Sequence, residues 1–153
     1  MLFLEKYIRC IDDEKLNKTT QSNVVLIEKG RRYCLRNTTK SWQVTKVKIE
    51  KCVINSVGEK GCEAILIAEK ENTNTKGYYV ELKGISVGDA FKQIENSLNK
   101  TVADLQNVIL FGRVIPSAYK RNRFLESHQQ RLVLRFKSLR GNFIVKENYE
   151  DEI

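Results

Sequence analysis

A chain of 153 residues with 41% apolar and 30% charged residues is long enough for one hydrophobic core and too apolar for a disordered chain. Its net charge is +8, no apolar run reaches membrane-spanning length, and the opening MLFLEKYIRC sets Glu5 and Lys6 inside its brief apolar stretch, unlike a secretory leader. The expectation is one domain over residues 1–153, cytoplasmic and without a membrane partner.

The cysteines Cys10, Cys34, Cys52 and Cys62 form no CxxC pair, and His128 is the sole histidine. That argues against a clustered zinc site and against a hydrolase built on Ser-His or Cys-His. The thiols are expected to be free and buried as small apolar groups, and a disulfide framework is not expected.

In chain order, Leu4, Tyr7, Ile8 and Ile11 fall at helical spacing and predict a helix over 3–16. LNKTTQSN reads as a loop. NVVLIEKGRRYCLRN predicts two strands around a turn at Lys29-Gly30. WQVTKVKIEKCVIN predicts a half-buried strand with Val44, Lys46, Lys48, Glu50 and Cys52 on one face. CEAILIA and GYYVELKG complete an antiparallel meander of three strands. ISVGDAFKQIENSLN predicts a helix capped by Ser86, with Ala90, Phe91, Ile94 and Leu98 as its apolar face. NVILFGRVI reads as a buried strand ended by Pro116, with Gly112 marking a bulge or a close approach. A helix over 127–139 follows, buried through Leu132, Val133, Phe136 and Leu139, with Gly141 as its C-cap and NFIVKE as a last strand. The order predicts an α/β sheet sandwiched between helices. Trp42, Tyr78 and Tyr79 are expected to pack rather than bind, and His128 to lie on the surface.

From Thr101 to Lys146 nine lysines and arginines stand against Asp104 and Glu126, a surplus of +7. Arg31, Arg32 and Arg36 make a second basic knot. Such a surplus suits a polyanion, because neutralised phosphates release counterions; a plain solvated face is the bland alternative. The last seven residues, ENYEDEI, hold four acids and no base, and read as a disordered end or as a cover for the basic surface.

In YYVELKG, Glu81 and Lys83 share one face of a strand while Val80 and Leu82 point the other way. Glu63 lies on the preceding strand, the turn between is polar, and a helix follows Gly84. A strand ending in carboxylate-x-lysine, an acid on the neighbouring hairpin strand and a following helix resembles the PD-(D/E)xK nuclease superfamily, over residues 40–115. The resemblance implies a restriction-endonuclease-like core, with a central mixed sheet of a meander plus further strands flanked by helices. It implies a catalytic set of Glu63, Glu81, Lys83 and Gln93, with Mg²⁺ or Mn²⁺ on Glu63, Glu81 and the Leu82 carbonyl. Glu5, Glu28 and Glu50 are candidates for an additional acid. Arg31, Arg32, Lys120, Arg121, Arg123, Arg131 and Arg135 would hold a nucleic-acid backbone, DNA above RNA, and a homodimer or a partner subunit would supply a second cut.

The family most often has aspartate where this chain has Glu63, whose extra methylene displaces the carboxylate. That departure favours an alternative: a catalytically inactive protein of this fold that binds nucleic acid or a protein partner. A third reading makes Glu81 and Lys83 an ion pair on a solvated edge, with little energetic consequence.

Overall fold

The structure, a computed structural model, describes residues 1–11, 22–84 and 86–153. Its centre is a five-stranded sheet of β3 (Gln43–Lys48), β4 (Ala64–Glu69), β5 (Lys76–Lys83), β6 (Ile109–Pro116) and β7 (Phe143–Val145), in that spatial order. The first three strands form the expected antiparallel meander, and β6 and β7 add parallel to β5. Parallel neighbours need crossovers, supplied by α2 (Val87–Thr101) between β5 and β6 and by α3 (Glu126–Ser138) between β6 and β7. The sheet is mixed and the fold is α/β.

One face of this sheet is buried under α2, α3 and the short α1 (Leu2–Lys6), through Ile65, Ile67, Tyr79, Leu110 and Val114 against Ala90, Phe91, Ile94, Leu132 and Phe136. No helix among the described residues covers the other face, contrary to the expected sandwich. There Leu66, Tyr78, Val80, Leu82 and Ile115 pack on Leu26, Tyr33 and Leu35 of a second sheet, β1 (Asn23–Glu28), β2 (Arg31–Arg36) and β8 (Tyr149–Glu152). The reason lies in β4 and β5, which are apolar on both sides and therefore need a cover on both. The hairpin forms as predicted, its two turn residues Lys29 and Gly30 both having positive φ.

Several local expectations are corrected. The N-terminal helix ends at Lys6; a 3₁₀ turn over Ile8–Cys10 follows, and Ile11 bridges to Val47 of β3, while 12–16 and most of the expected loop lie outside the described residues. The strand from Trp42 stops at Lys48, because the Ile49 carbonyl accepts the Cys52 and Ile54 N–H groups and Lys51 turns the chain at φ 61°. The Ser86 side chain does not cap the backbone of α2; its hydroxyl donates to Asp89 Oδ2 at 2.6 Å, and that bond holds the Asp89 carboxyl below its usual range. The residue that ends α3 in the left-handed region is Arg140, at φ 70°. Gly141 follows it and donates to the Phe136 carbonyl; a Cβ on Gly141 would lie 1.9 Å from the Leu110 oxygen, so close packing is what requires glycine there. Gly112 is likewise a close approach, since a Cβ would meet Phe143 at 2.6 Å and Phe136 at 2.7 Å.

Cys10 and Cys52 form a disulfide, against the expectation of four free thiols, whereas Cys34 and Cys62 are free and buried as expected. The pairing arises because the Ile11–Val47 bridge lays the N-terminal segment along β3, bringing together cysteines 42 residues apart. Under denaturing, non-reducing conditions an alkylating reagent is expected to label Cys34 and Cys62 alone, read by peptide mass. Reduction should lower stability by about 2–3 kcal/mol, read from the urea midpoint.

The acidic tail is neither a loose end nor a general cover for basic surface. It forms β8, parallel to β2, with Tyr149 opposite Tyr33 and Asp151 opposite Leu35. Arg113, the one charged residue in the strand expected to be buried, is 1% exposed. Its guanidinium grips Asp151 with both arms, Nε to Oδ2 at 2.7 Å and Nη2 to Oδ1 at 3.0 Å, while Tyr33 donates its hydroxyl to the same carboxylate at 2.7 Å. Removing one partner leaves a buried charge unpaired, so Asp151→Ala is expected to cost about 3 kcal/mol in chemical denaturation.

Candidate functional site

The carboxylate-x-lysine unit closes β5, where the strand is still sandwiched between the helices and the second sheet. Tyr79 faces the helix side, so Glu81 and Lys83, at the same alternation, face that side too. The register pairs Ala64 with Val80, which sets Glu63 at the next position along, across from Glu81. Ile49 and Glu50 continue the pairing beyond β3, their N–H groups donating to the Glu63 and Cys62 carbonyls. Three of the predicted residues, Glu63, Glu81 and Lys83, are therefore neighbours on one face.

Glu81 is 4% exposed, and its Oε2 has no hydrogen-bond partner. Burial pushes its carboxyl up to about 8, the negative charge of Glu63 adds to this, Lys83 opposes it, and Glu50 and Glu28 contribute further repulsion. A carboxyl this buried is not half of a solvated surface ion pair, so that reading of Glu81 and Lys83 does not hold. Of the three further acids, Glu28 and Glu50 act on Glu81, while Glu5 sits exposed on α1.

Gln93 comes from the second turn of α2 and is buried, but it is turned toward the segment before Glu63: its amide donates to the Gly61 carbonyl at 3.2 Å, and its Oε1 has no partner. Ser97, one turn on, accepts the Cys62 N–H at 2.8 Å, so α2 holds the 61–62 backbone from above. A depression of about 310 Å³ opens beside the constellation, lined by Glu50, Ile54, Ser56, Glu59 and Lys60; it takes in neither Glu81 nor Lys83.

The predicted basic residues separate into three groups. Arg31 reaches the end of β5 from the hairpin: it donates to the Ser117 hydroxyl at 2.9 Å and lies 3.5 Å from Glu28, and Ser117 in turn donates its N–H to the Lys83 and Gly84 carbonyls. Lys120, Arg121, Arg123 and Arg131 are exposed, with Arg121 tied to Glu126 at 2.6 Å. Two others serve the fold. Arg32 pairs with Glu150 of β8 at 3.0 Å, and Arg135 donates to Asn99 across the α2–α3 contact. Trp42, Tyr78 and Tyr79 are packed, as expected. His128 is not a plain surface residue, for its Nε2 meets Glu95 Oε2 at 3.2 Å and its ring stands edge-on to Phe91.

Sequence reasoning missed the place of Ser117 and the fact that Arg31 stands at the end of the carboxylate-x-lysine strand. Neither carries a local signal, because Ser117 is placed by the parallel register that sets Pro116 opposite Lys83 and Arg31 by the second sheet folding over the first. Among the described residues there is no group of three His, Cys, Asp or Glu side chains that could hold a metal ion. What the arrangement has is two buried oxygen acceptors without donors among the described residues, Glu81 Oε2 and Gln93 Oε1, and acids that repel one another around Glu81 once it ionises. A hard divalent cation taking oxygen ligands and keeping its own waters fits that donor set. No family model, curated protein or solved structure matches the chain.

Proposed function

We propose that this protein is a Mg²⁺- or Mn²⁺-dependent nuclease of the restriction-endonuclease-like type, a DNA endonuclease of a restriction, defence or junction-resolving kind. The single observation that carries the reading is the buried, unpartnered Glu81 carboxylate beside Glu63, on the same face as Lys83. Glu63, Glu81 and the Leu82 carbonyl would hold the cation, which when bound supplies charge against a phosphoryl oxygen and a more acidic water.

The chain's own residues then divide the work. Lys83 orients the attacking water by hydrogen bonding and stabilises the negative charge that develops on the phosphate. Gln93, released from Gly61 or sharing its amide, positions that water or a phosphate oxygen. Arg31, fixed by Ser117 and Glu28 at the end of β5, would contact a phosphate next to the scissile one. Lys120, Arg121, Arg123 and Arg131 attract the backbone without reading its sequence. The same reading puts the protein in the cytoplasm, where DNA is within reach, and has it work as a homodimer or with a partner subunit.

A second reading, a protein of this fold that binds nucleic acid or a protein without cutting, is favoured by one feature: glutamate stands at 63, where the family it resembles most often has aspartate. Incubation of mixed nucleic-acid substrates with the protein in Mg²⁺ or Mn²⁺ separates the two. Cleavage abolished by EDTA supports the nuclease; salt-sensitive binding without cleavage supports the binder.

A further inference from the structure

The segment from Ser117 to Leu125 is anchored on both sides of the end of β5. At its start the Ser117 N–H donates to the carbonyls of Lys83, at 3.2 Å, and Gly84, at 3.3 Å. At its far end Leu125 packs on the first turn of α2, where a Cβ on Gly88 would stand 3.2 Å from Leu125 Cδ2. Between the anchors Tyr119 donates its N–H to Glu147 at 2.9 Å and its hydroxyl to Gln129 at 2.8 Å. Asn122 then closes a tight turn: its Oδ1 accepts the Phe124 N–H at 2.9 Å and its carbonyl the Leu125 N–H at 3.0 Å. The turn buries part of Leu125 and drives its neighbour outward, leaving Phe124 93% exposed.

A single exposed phenylalanine is unremarkable by itself. Here it is held by a bonded turn, flanked by the exposed cations Lys120, Arg121 and Arg123, and carried on a segment tied to the backbone of Lys83. An aromatic face among cations offers a base its stacking partner and the adjoining phosphates their counter-charge. Bases inside a duplex have their faces already stacked, so the partner that gains from this surface is an unpaired one. We infer that Phe124 is a stacking platform for an unpaired base, with Lys120 and Arg123 on the flanking phosphates, and that the nucleic acid reaching the site carries a single-stranded segment. The inference rests on the nuclease reading for the destination of the strand, and it is tested without cleavage.

Anisotropy of a labelled DNA single strand and of the matching duplex, titrated in EDTA, gives the readout. Phe124→Ala is expected to weaken single-strand binding by about tenfold and leave duplex binding unchanged. Phe124→Trp should keep single-strand affinity, and the introduced indole should be quenched on binding. Unchanged single-strand binding in Phe124→Ala overturns the platform, as does equal loss on both DNAs. Unchanged DNA binding with lost adsorption to vesicles of anionic lipid assigns the patch to a membrane surface and also overturns it. A wild-type protein that binds the single strand through Phe124 but cuts nothing in Mg²⁺ sinks the nuclease reading alone.

Discussion

Lys83→Ala is expected to lower Mg²⁺-dependent cleavage by about 10²–10³-fold under single-turnover conditions while leaving nucleic-acid binding intact. The argument is positional. Lys83 ends β5 on the face of Glu81 and Glu63, half-buried, and its backbone carbonyl is fixed by the Ser117 N–H. Its ammonium is near enough to Glu81 to oppose the upward push on that carboxyl, and on the nuclease reading a charge preorganised at the reacting phosphate acts in the transition state more than on the bound substrate. The loss should therefore appear in kcat, with the salt dependence of binding preserved, since Lys120, Arg121, Arg123 and Arg131 are untouched. Cleavage that survives in Lys83→Ala would move the centre away from YYVELKG.

Glu81→Gln should stabilise the metal-free protein at alkaline pH, by an amount on the order of 5 kcal/mol. Folding moves this carboxyl from its ordinary 4.5 up to about 8, chiefly through burial and then through Glu63. Between those two values the folded chain keeps a proton that the unfolded chain has released, so stability falls as pH rises across the window. Below 4.5 the group is protonated in both states and the substitution should be nearly neutral; above 8 the full difference is present. Urea midpoints at pH 4.5 and pH 9 for the two proteins measure it, and equal pH slopes would refute the buried placement of Glu81. Mg²⁺ or Mn²⁺ at alkaline pH should raise the melting temperature of the wild type and not of Glu81→Gln, because a cation bound only by the folded state stabilises by mass action.

The stability cost borne by Glu81 also explains why the site was readable before the fold. A carboxylate in a strand otherwise composed of Tyr78, Tyr79, Val80 and Leu82 conflicts with the burial its neighbours demand, and such conflicts mark functional positions. Period-two alternation set Glu81 and Lys83 on one face, and the meander order put Glu63 on the adjoining strand; both are local consequences of chain geometry. Gln93 was legible only as a residue on the right helix. Its rotation toward Gly61 is a packing outcome that periodicity does not report.

By itself, then, the sequence determined the alternations that make β3 to β6 and the apolar faces of α2 and α3, since these are set by side-chain period and by Gly and Pro positions. It also determined the shared face of Glu81 and Lys83. Only the tertiary structure decided that a second sheet, not helices, covers the far face, that ENYEDEI becomes β8 with Asp151 neutralising Arg113, and that Cys10 meets Cys52. It likewise divided the arginines into those tied down by the fold, Arg32 and Arg135, one held at the end of β5, Arg31, and those left exposed, Arg123 among them. The physical reason is sequence separation. A residue's period is written in its near neighbours, whereas the partner of a buried charge or a thiol is chosen by where distant segments can pack, 38 residues away for Arg113 and 42 for Cys10.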